Sequence, residues 1–181
     1  MFVTCLYAKS YREISECAFP GLNLLLCYFY NVHSGNDLRS FNFTDIMEQF
    51  TLTEDIRVYY IQAVSFPEGV VAAHEKLHAM YPFDTARRCF GVSRPEHGKI
   101  DYKAAAEELV PGEYAKHGLP SLIIRKGTYQ CIAIKDFRKN IPAISYAFTD
   151  LIVQKGIDPQ TYCVEWYQGM NDVLCMVRMM D

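Results

Sequence analysis

The sequence predicts an α+β domain in which two pseudo-twofold β-α-β-β repeats form one antiparallel sheet, with helices on one face and a central pocket. Three observations carry that expectation. Runs of β-branched and aromatic residues mark strands. Two apolar patterns at helical spacing lie between them. The same order then returns about seventy-one residues downstream, so that Phe137 matches Phe66 and Phe148 matches Leu77.

The first unit opens with the strand Val58 to Ser65, which ends at Phe66-Pro67. Glu68 to Tyr81 reads as a helix, with Val70, Val71, Leu77 and Met80 or Tyr81 at helical spacing and Pro82 as its stop. Arg88 to Ser93 and Lys99 to Ala106 follow as strands on either side of a Pro-Glu-His-Gly turn. Glu107 to Leu119, with Pro111-Gly112 and His117-Gly118, reads as a connection. In the second unit Tyr129 to Lys135 is the opening strand. The helix Ile141 to Gln154 carries Pro142 in its first turn and stops at Gly156. Strands Tyr162 to Tyr167 and Asp172 to Arg178 close the unit. The repeats thus run over about 54–106 and 127–180. A seam between two such units takes side chains from both, which makes it a natural place for a pocket.

Residues 1–46 fit neither repeat. They hold nine of the 25 aromatic residues and three of the seven cysteines without helical period or strand alternation. They read as an extraneous or poorly ordered extension ahead of a domain spanning 47–181, with a genuine but unusual N-terminal segment as the alternative.

Half of the 181 residues are hydrophobic, enough for one domain with a real core. The net charge of −3 and the lack of a basic stripe argue against direct nucleic-acid binding. The longest apolar run, Leu22 to Tyr30, is too short to span a bilayer, so no membrane partner is expected. An odd number of cysteines without CxxC spacing fits reduced thiols, and a cytoplasmic location is the expectation. Lys126-Gly127 and Pro111-Gly112 are turns without phosphate-loop spacing, and no cofactor is expected.

The candidate site centres on Glu165, a lone carboxylate in the strand Tyr162-Cys163-Val164-Glu165-Trp166-Tyr167. Alternation puts Cys163, Glu165 and Tyr167 on one face and Val164 and Trp166 on the other. A strand carboxylate is either a solvated edge residue or, when buried, in need of a partner. If Ile132 and Ile134 face the helices, Tyr129 faces away from them, and the repeat places Tyr60 correspondingly. A pocket walled by Tyr60, Tyr129 and Tyr167 with Glu165 as its charge would suit a flat cationic guest. Cys163 is a candidate pocket thiol or a small core residue.

Several short stretches, in this order and spacing, resemble the gyrase-inhibitor-like family, also known as the AraC-type effector-binding domain. They are Phe90-Gly91-Val92-Ser93, Ile100-Asp101-Tyr102-Lys103-Ala104-Ala105, Lys126-Gly127-Thr128-Tyr129, Ala147-Phe148 with Leu151, Val164-Glu165-Trp166-Tyr167 and Val173 to Val177. The resemblance covers about residues 54–180 and implies a stand-alone relative of bacterial multidrug-responsive transcription regulators. It implies that Glu165 contacts a lipophilic or cationic small molecule, and it adds Phe90 and Tyr102 to the ligand-binding residues. It also implies two alternatives: hydrolysis of reactive toxins by Glu165 with Tyr129 or Tyr167, and a protein partner such as gyrase. No DNA-binding segment accompanies the resemblance.

His74-Glu75-Lys76-Leu77-His78 matches the zinc-binding pattern H-E-x-x-H. Lys76 would set a cation beside the metal, and no third ligand stands at a typical spacing. His74 and His78 are therefore weak metal candidates, and no metal is expected.

Overall fold

The computed structural model describes residues 47–80, 84 and 86–181. Residues 1–46 lie outside the described residues, and the expectation for them lies outside with them, as do Tyr81 and Pro82, where the sequence predicts the first helix to stop. The elements run β1 Glu48–Leu52, β2 Ile56–Gln62, α1 Val70–Met80, β3 Cys89–Glu96, β4 Lys99–Glu107, β5 Ser121–Ile124, β6 Gly127–Ile134, α2 Pro142–Ile152, β7 Cys163–Gln168 and β8 Asp172–Arg178. The eight described strands form one antiparallel sheet in the order β1-β6-β8-β7-β3-β4-β2-β5. An α+β fold is therefore present.

β3 and β7 meet at the middle of the sheet, with Gly91 directly opposite Glu165 and Phe90 opposite Trp166. The β3–β4 hairpin turns at His97 and Gly98, whose φ values of 50° and 80° are those of a primed turn. That turn lets pairing run out to Glu96 and Lys99, so β3 continues three residues past the expected Ser93. Pro95 is tolerated there because β3–β7 pairing stops at Ser93, leaving no partner for the missing N–H.

The sheet is strongly curled. Phe50 on β1 meets Trp166 on β7 at 5.7 Å between ring centroids, although two strands lie between them. Across a flat sheet three strand spacings would separate them by about 14 Å. Leu52 from one edge strand and Ile124 from the other belong to the same buried cluster, with Phe90, Val92, Val164 and Met176. This core fills the hollow of a half-barrel.

The helices cover the other face. α2 packs Ala147, Phe148 and Leu151 onto Ile132, Ile134, Val173, Cys175 and Val177. α1 buries Ala73 and Leu77 against Ala104, Ala106 and Cys89. Among the described residues α1 starts two residues later than the expected Glu68 and α2 is shorter than the expected Ile141 to Gln154, and each presents an apolar stripe to the sheet.

Two strands escape sequence reading. β1 and β5 are the edges, five and four residues long, and both lie outside the predicted units. Their apolar residues, Phe50 with Leu52 and Leu122 with Ile124, point into the hollow. Segments this short are assigned by what they pair with, and those pairings are non-local.

Candidate functional site

Alternation on three neighbouring strands puts Glu165 and Tyr167 of β7, Tyr102 of β4 and Gly91 of β3 on the helix-covered face. Tyr102 is 1% and Glu165 8% exposed. Burying a carboxylate this far requires partners. The Tyr102 hydroxyl donates to Glu165 Oε2 at 3.1 Å, and the Tyr167 hydroxyl donates to the same oxygen. Among the described residues none donates to Oε1. From α1, His74 Nε2 comes within 3.0 Å of the Tyr102 hydroxyl, and its ring stands edge-on to Tyr167 at 5.3 Å.

Gly91 makes this cluster fit. A Cβ at that position would lie 2.7 Å from Glu165 Oε2 and overlap the Tyr102 hydroxyl. The absence of a side chain on β3 is what allows a tyrosine from β4 to reach a carboxylate on β7 across the strand between them.

The electrostatics follow from burial. Desolvation pushes the Glu165 carboxyl above the usual carboxylate range, and the hydrogen bonds from Tyr167 and Tyr102 pull it partly back. Desolvation first, then the nearby carboxylate, holds both tyrosines well above the ordinary phenol range, so both remain donors. His74 is pushed down to about 4, by burial and then by His78, and is neutral at pH 7. Burial likewise raises the Cys163 thiol, which disfavours thiolate chemistry there.

A cleft of about 600 Å³ opens above the cluster between α1 and α2. Glu165, Tyr102 and Tyr167 line it together with His74, Phe66 and Phe137. Phe66 stacks on Tyr102 at 5.7 Å, and Phe137 tilts against Tyr167 at 5.5 Å, so an aromatic wall rises on each side. Val71, Ile141 and Met170 also line the cleft while being 65%, 63% and 57% exposed. Solvent-facing apolar residues grouped around a concave surface are a feature of ligand clefts.

Glu165, Tyr167 and Tyr102 are thus brought together, while Tyr60, Tyr129 and Phe90 are not. These three point into the half-barrel hollow, and the Tyr129 hydroxyl donates to the Arg125 carbonyl at 2.5 Å. The pocket walled by Tyr60, Tyr129 and Tyr167 therefore does not form. Ile132 and Ile134 do face α2, which turns Tyr129 away from it, but Glu165 lies on the helix side rather than with Tyr129. Cys163 shares Glu165's face, yet it packs under α2 and lines a separate cavity with Ile152 and Ile157.

His74 and His78 both line the cleft, their rings 6.2 Å apart. The Nε2 of His74 is engaged by Tyr102, and among the described residues no three His, Cys, Asp or Glu side chains gather as a metal site. Sequence reading missed three contributors: Gly91's spatial role, His74 as a tyrosine partner, and the paired Phe66 and Phe137. The equal spacing of the two phenylalanines was the one available signal.

Among the described residues, no helix is long and apolar enough to cross a membrane. No protein-family model matches the chain, and no curated protein matches it. Among solved structures the chain is similar in fold to an integron cassette protein from the mobile metagenome of Vibrio cholerae. The TM-score is 0.56 at 10% identity, covering 74% of this chain and 95% of that one.

Proposed function

We propose that the cleft between α1 and α2 binds a flat, lipophilic organic cation, and that the chain is a small-molecule-binding protein of the gyrase-inhibitor-like type. The observation that carries this reading is a buried carboxylate at the floor of an apolar, aromatic-walled cleft, with no donor to Oε1 among the described residues. A cation placed there would compensate the desolvated charge, and Phe66 or Phe137 would offer cation–π contacts worth roughly 0.5–2 kcal/mol each. The repeat reading finds support in strand order, since β6-β8-β7 has the same internal sequence as β2-β4-β3 and the two trios abut at β7–β3. On that reading Phe66 and Phe137 are equivalent residues contributed by the two halves. The test is titration with a panel of lipophilic dyes that differ in charge, followed by fluorescence polarisation. Saturable binding of the cationic members alone is expected. No saturable binding, or equal binding of anionic dyes, would contradict it.

A second reading makes the same site hydrolytic, and the convergence of two tyrosines on Glu165 favours it over simple packing. The Glu165 carboxylate, made more basic by its burial, would take a proton from water while Tyr102 or Tyr167 donates to a leaving group. Tyr102 takes the part that sequence reading gave to Tyr129. Incubation with strained electrophiles, with products weighed for addition of water, separates the two. Ligand binding without turnover leaves the binding role.

A further inference from the structure

The direction of the hydrogen bonds at the cleft floor bears on which cations fit. Tyr102 has one hydroxyl proton and three neighbours within reach of it, Glu165 Oε2 at 3.1 Å, His74 Nε2 at 3.0 Å and the Tyr167 hydroxyl at 3.3 Å, the last of which gives its own proton to Glu165. A carboxylate is the stronger acceptor, so the proton goes to Glu165. The Tyr102 oxygen then accepts, and His74 must be the tautomer that carries its proton on Nε2. Tyr167 also donates to Oε2. Each of these three protons is therefore directed inward. The floor presents to a ligand one acceptor, Oε1, and no donor from Tyr102, Tyr167 or His74 Nε2.

Resting on the ligand-site reading above, we infer that His74 is a positioning residue that sets this one-way chain, and that the cleft consequently prefers organic cations bearing an N–H over permanent cations of the same shape. An N–H cation completes Oε1 with a charge-assisted hydrogen bond. A quaternary ammonium supplies charge alone and leaves that oxygen unpaired. Anions and carbonyl-rich ligands meet no donor from these three side chains.

Removing His74 also weakens the chain electrically. Donation into the Tyr102 oxygen polarises its O–H and strengthens its bond to the carboxylate. Loss of that donation makes Glu165 harder to ionise. With the opposite tautomer, Tyr102 would point at His74, and loss of His74 would release a donor toward Glu165 and make it easier to ionise. The sign of the change separates the two. The other titratable groups facing Glu165 are Tyr167 and Cys163 on β7, Cys175 on β8, Cys89 on β3, and His78 with Glu75 on α1, with Arg138 at the rim. All are unaltered in a His74 variant.

The experiment uses a matched pair of probes with one aromatic body, one ending in a protonated dimethylammonium and the other in a trimethylammonium. Affinities are measured at pH 7 by calorimetry for the full chain, and binding of the trimethylammonium probe, whose charge does not titrate, is followed against pH. The dimethylammonium probe should bind about tenfold more tightly. In His74→Phe the pH midpoint for the trimethylammonium probe should move up by about half a unit to a unit. In His74→Gln, whose amide can donate to Tyr102, the midpoint should return toward the original value. Equal affinities for the two probes, or a midpoint that stays or moves down in His74→Phe, would overturn the inference. Equal binding that Glu165→Gln abolishes leaves the ligand-site reading intact and removes only this one. Saturable binding by neither probe removes both.

Discussion

Glu165 and Trp166 are adjacent on β7, yet they enter environments that share almost nothing. Trp166 joins Phe90, Val164 and Met176 in the hollow of the half-barrel, where contacts are apolar and fill space. Glu165 joins Tyr102, Tyr167 and His74 on the helix side, where two hydroxyls converge on one carboxylate oxygen, a ring nitrogen meets one of those hydroxyls, and a cleft stands open above them. The same contrast holds across the pairing to β3, where Phe90 faces one side and Gly91 the other. One face of the sheet is filled by packing, and on the other the packing under the helices is interrupted by a polar cluster and a cleft. A shift of one residue exchanges the two.

Substitutions on the two faces should therefore separate stability from binding. The largest loss of stability belongs to the hollow. Phe90 is fully buried, so Phe90→Ala should lower stability by about 3–5 kcal/mol in chemical denaturation. The affinity of the protein that remains folded for a cationic dye should be unchanged. A large affinity loss in still-folded Phe90→Ala would mean that the faces are coupled.

Gly91→Ala, one residue away, should do the reverse. Its Cβ displaces Tyr102 from Glu165, and overpacking of this kind costs roughly 1–3 kcal/mol. Dye binding should fall even where folding survives. Retained binding would show that the Tyr102–Glu165 contact is dispensable.

Smaller effects come from pH, and the two buried ionisable groups act in opposite senses. Glu165 titrates higher in the folded chain than its ordinary value near 4.5, so the folded state holds its proton longer. Its contribution is complete below that value and is lost as pH rises through the raised one. Glu165→Gln should remove this loss, so its melting temperature should gain on that of the parent as pH increases above 4.5. His74 titrates near 4 against an ordinary 6.5, so its contribution is present above 6.5 and lost as pH falls toward 4. His74→Phe should flatten that acid-side decline by roughly 1–2 kcal/mol, measured as melting temperature between those limits. A parallel decline in parent and variant would mean that His74 is not held neutral by the fold.

The difference between the faces also explains what could be read from sequence. Alternation along one strand was enough to pair Glu165 with Tyr167 and to set Trp166 against them, because that relation is local. The segments around six strands and both helices were legible for the same reason. The partners from other strands were not. Tyr102 reaches Glu165 across β3, and only the register Gly91↔Glu165 with the missing side chain makes this visible. Sequence alone does not separate Tyr60 and Tyr129 from Glu165, because deciding which faces coincide requires the pairing of β6 with β7 through β8 and of β2 with β7 through β4 and β3. The spacing of His74 to His78 suggests a metal ligand, whereas its hydrogen-bond neighbour in space is a tyrosine 28 residues away.

The most direct test compares adjacent residues on the strand that divides the faces. Binding of a lipophilic cation would be measured by calorimetry for the parent chain, Glu165→Gln and Trp166→Phe. The expected result is a loss of about tenfold to a hundredfold in affinity for Glu165→Gln, with Trp166→Phe binding as the parent does. Unchanged affinity in Glu165→Gln, or a comparable loss in a folded Trp166→Phe, would contradict the assignment of binding to the helix-covered face.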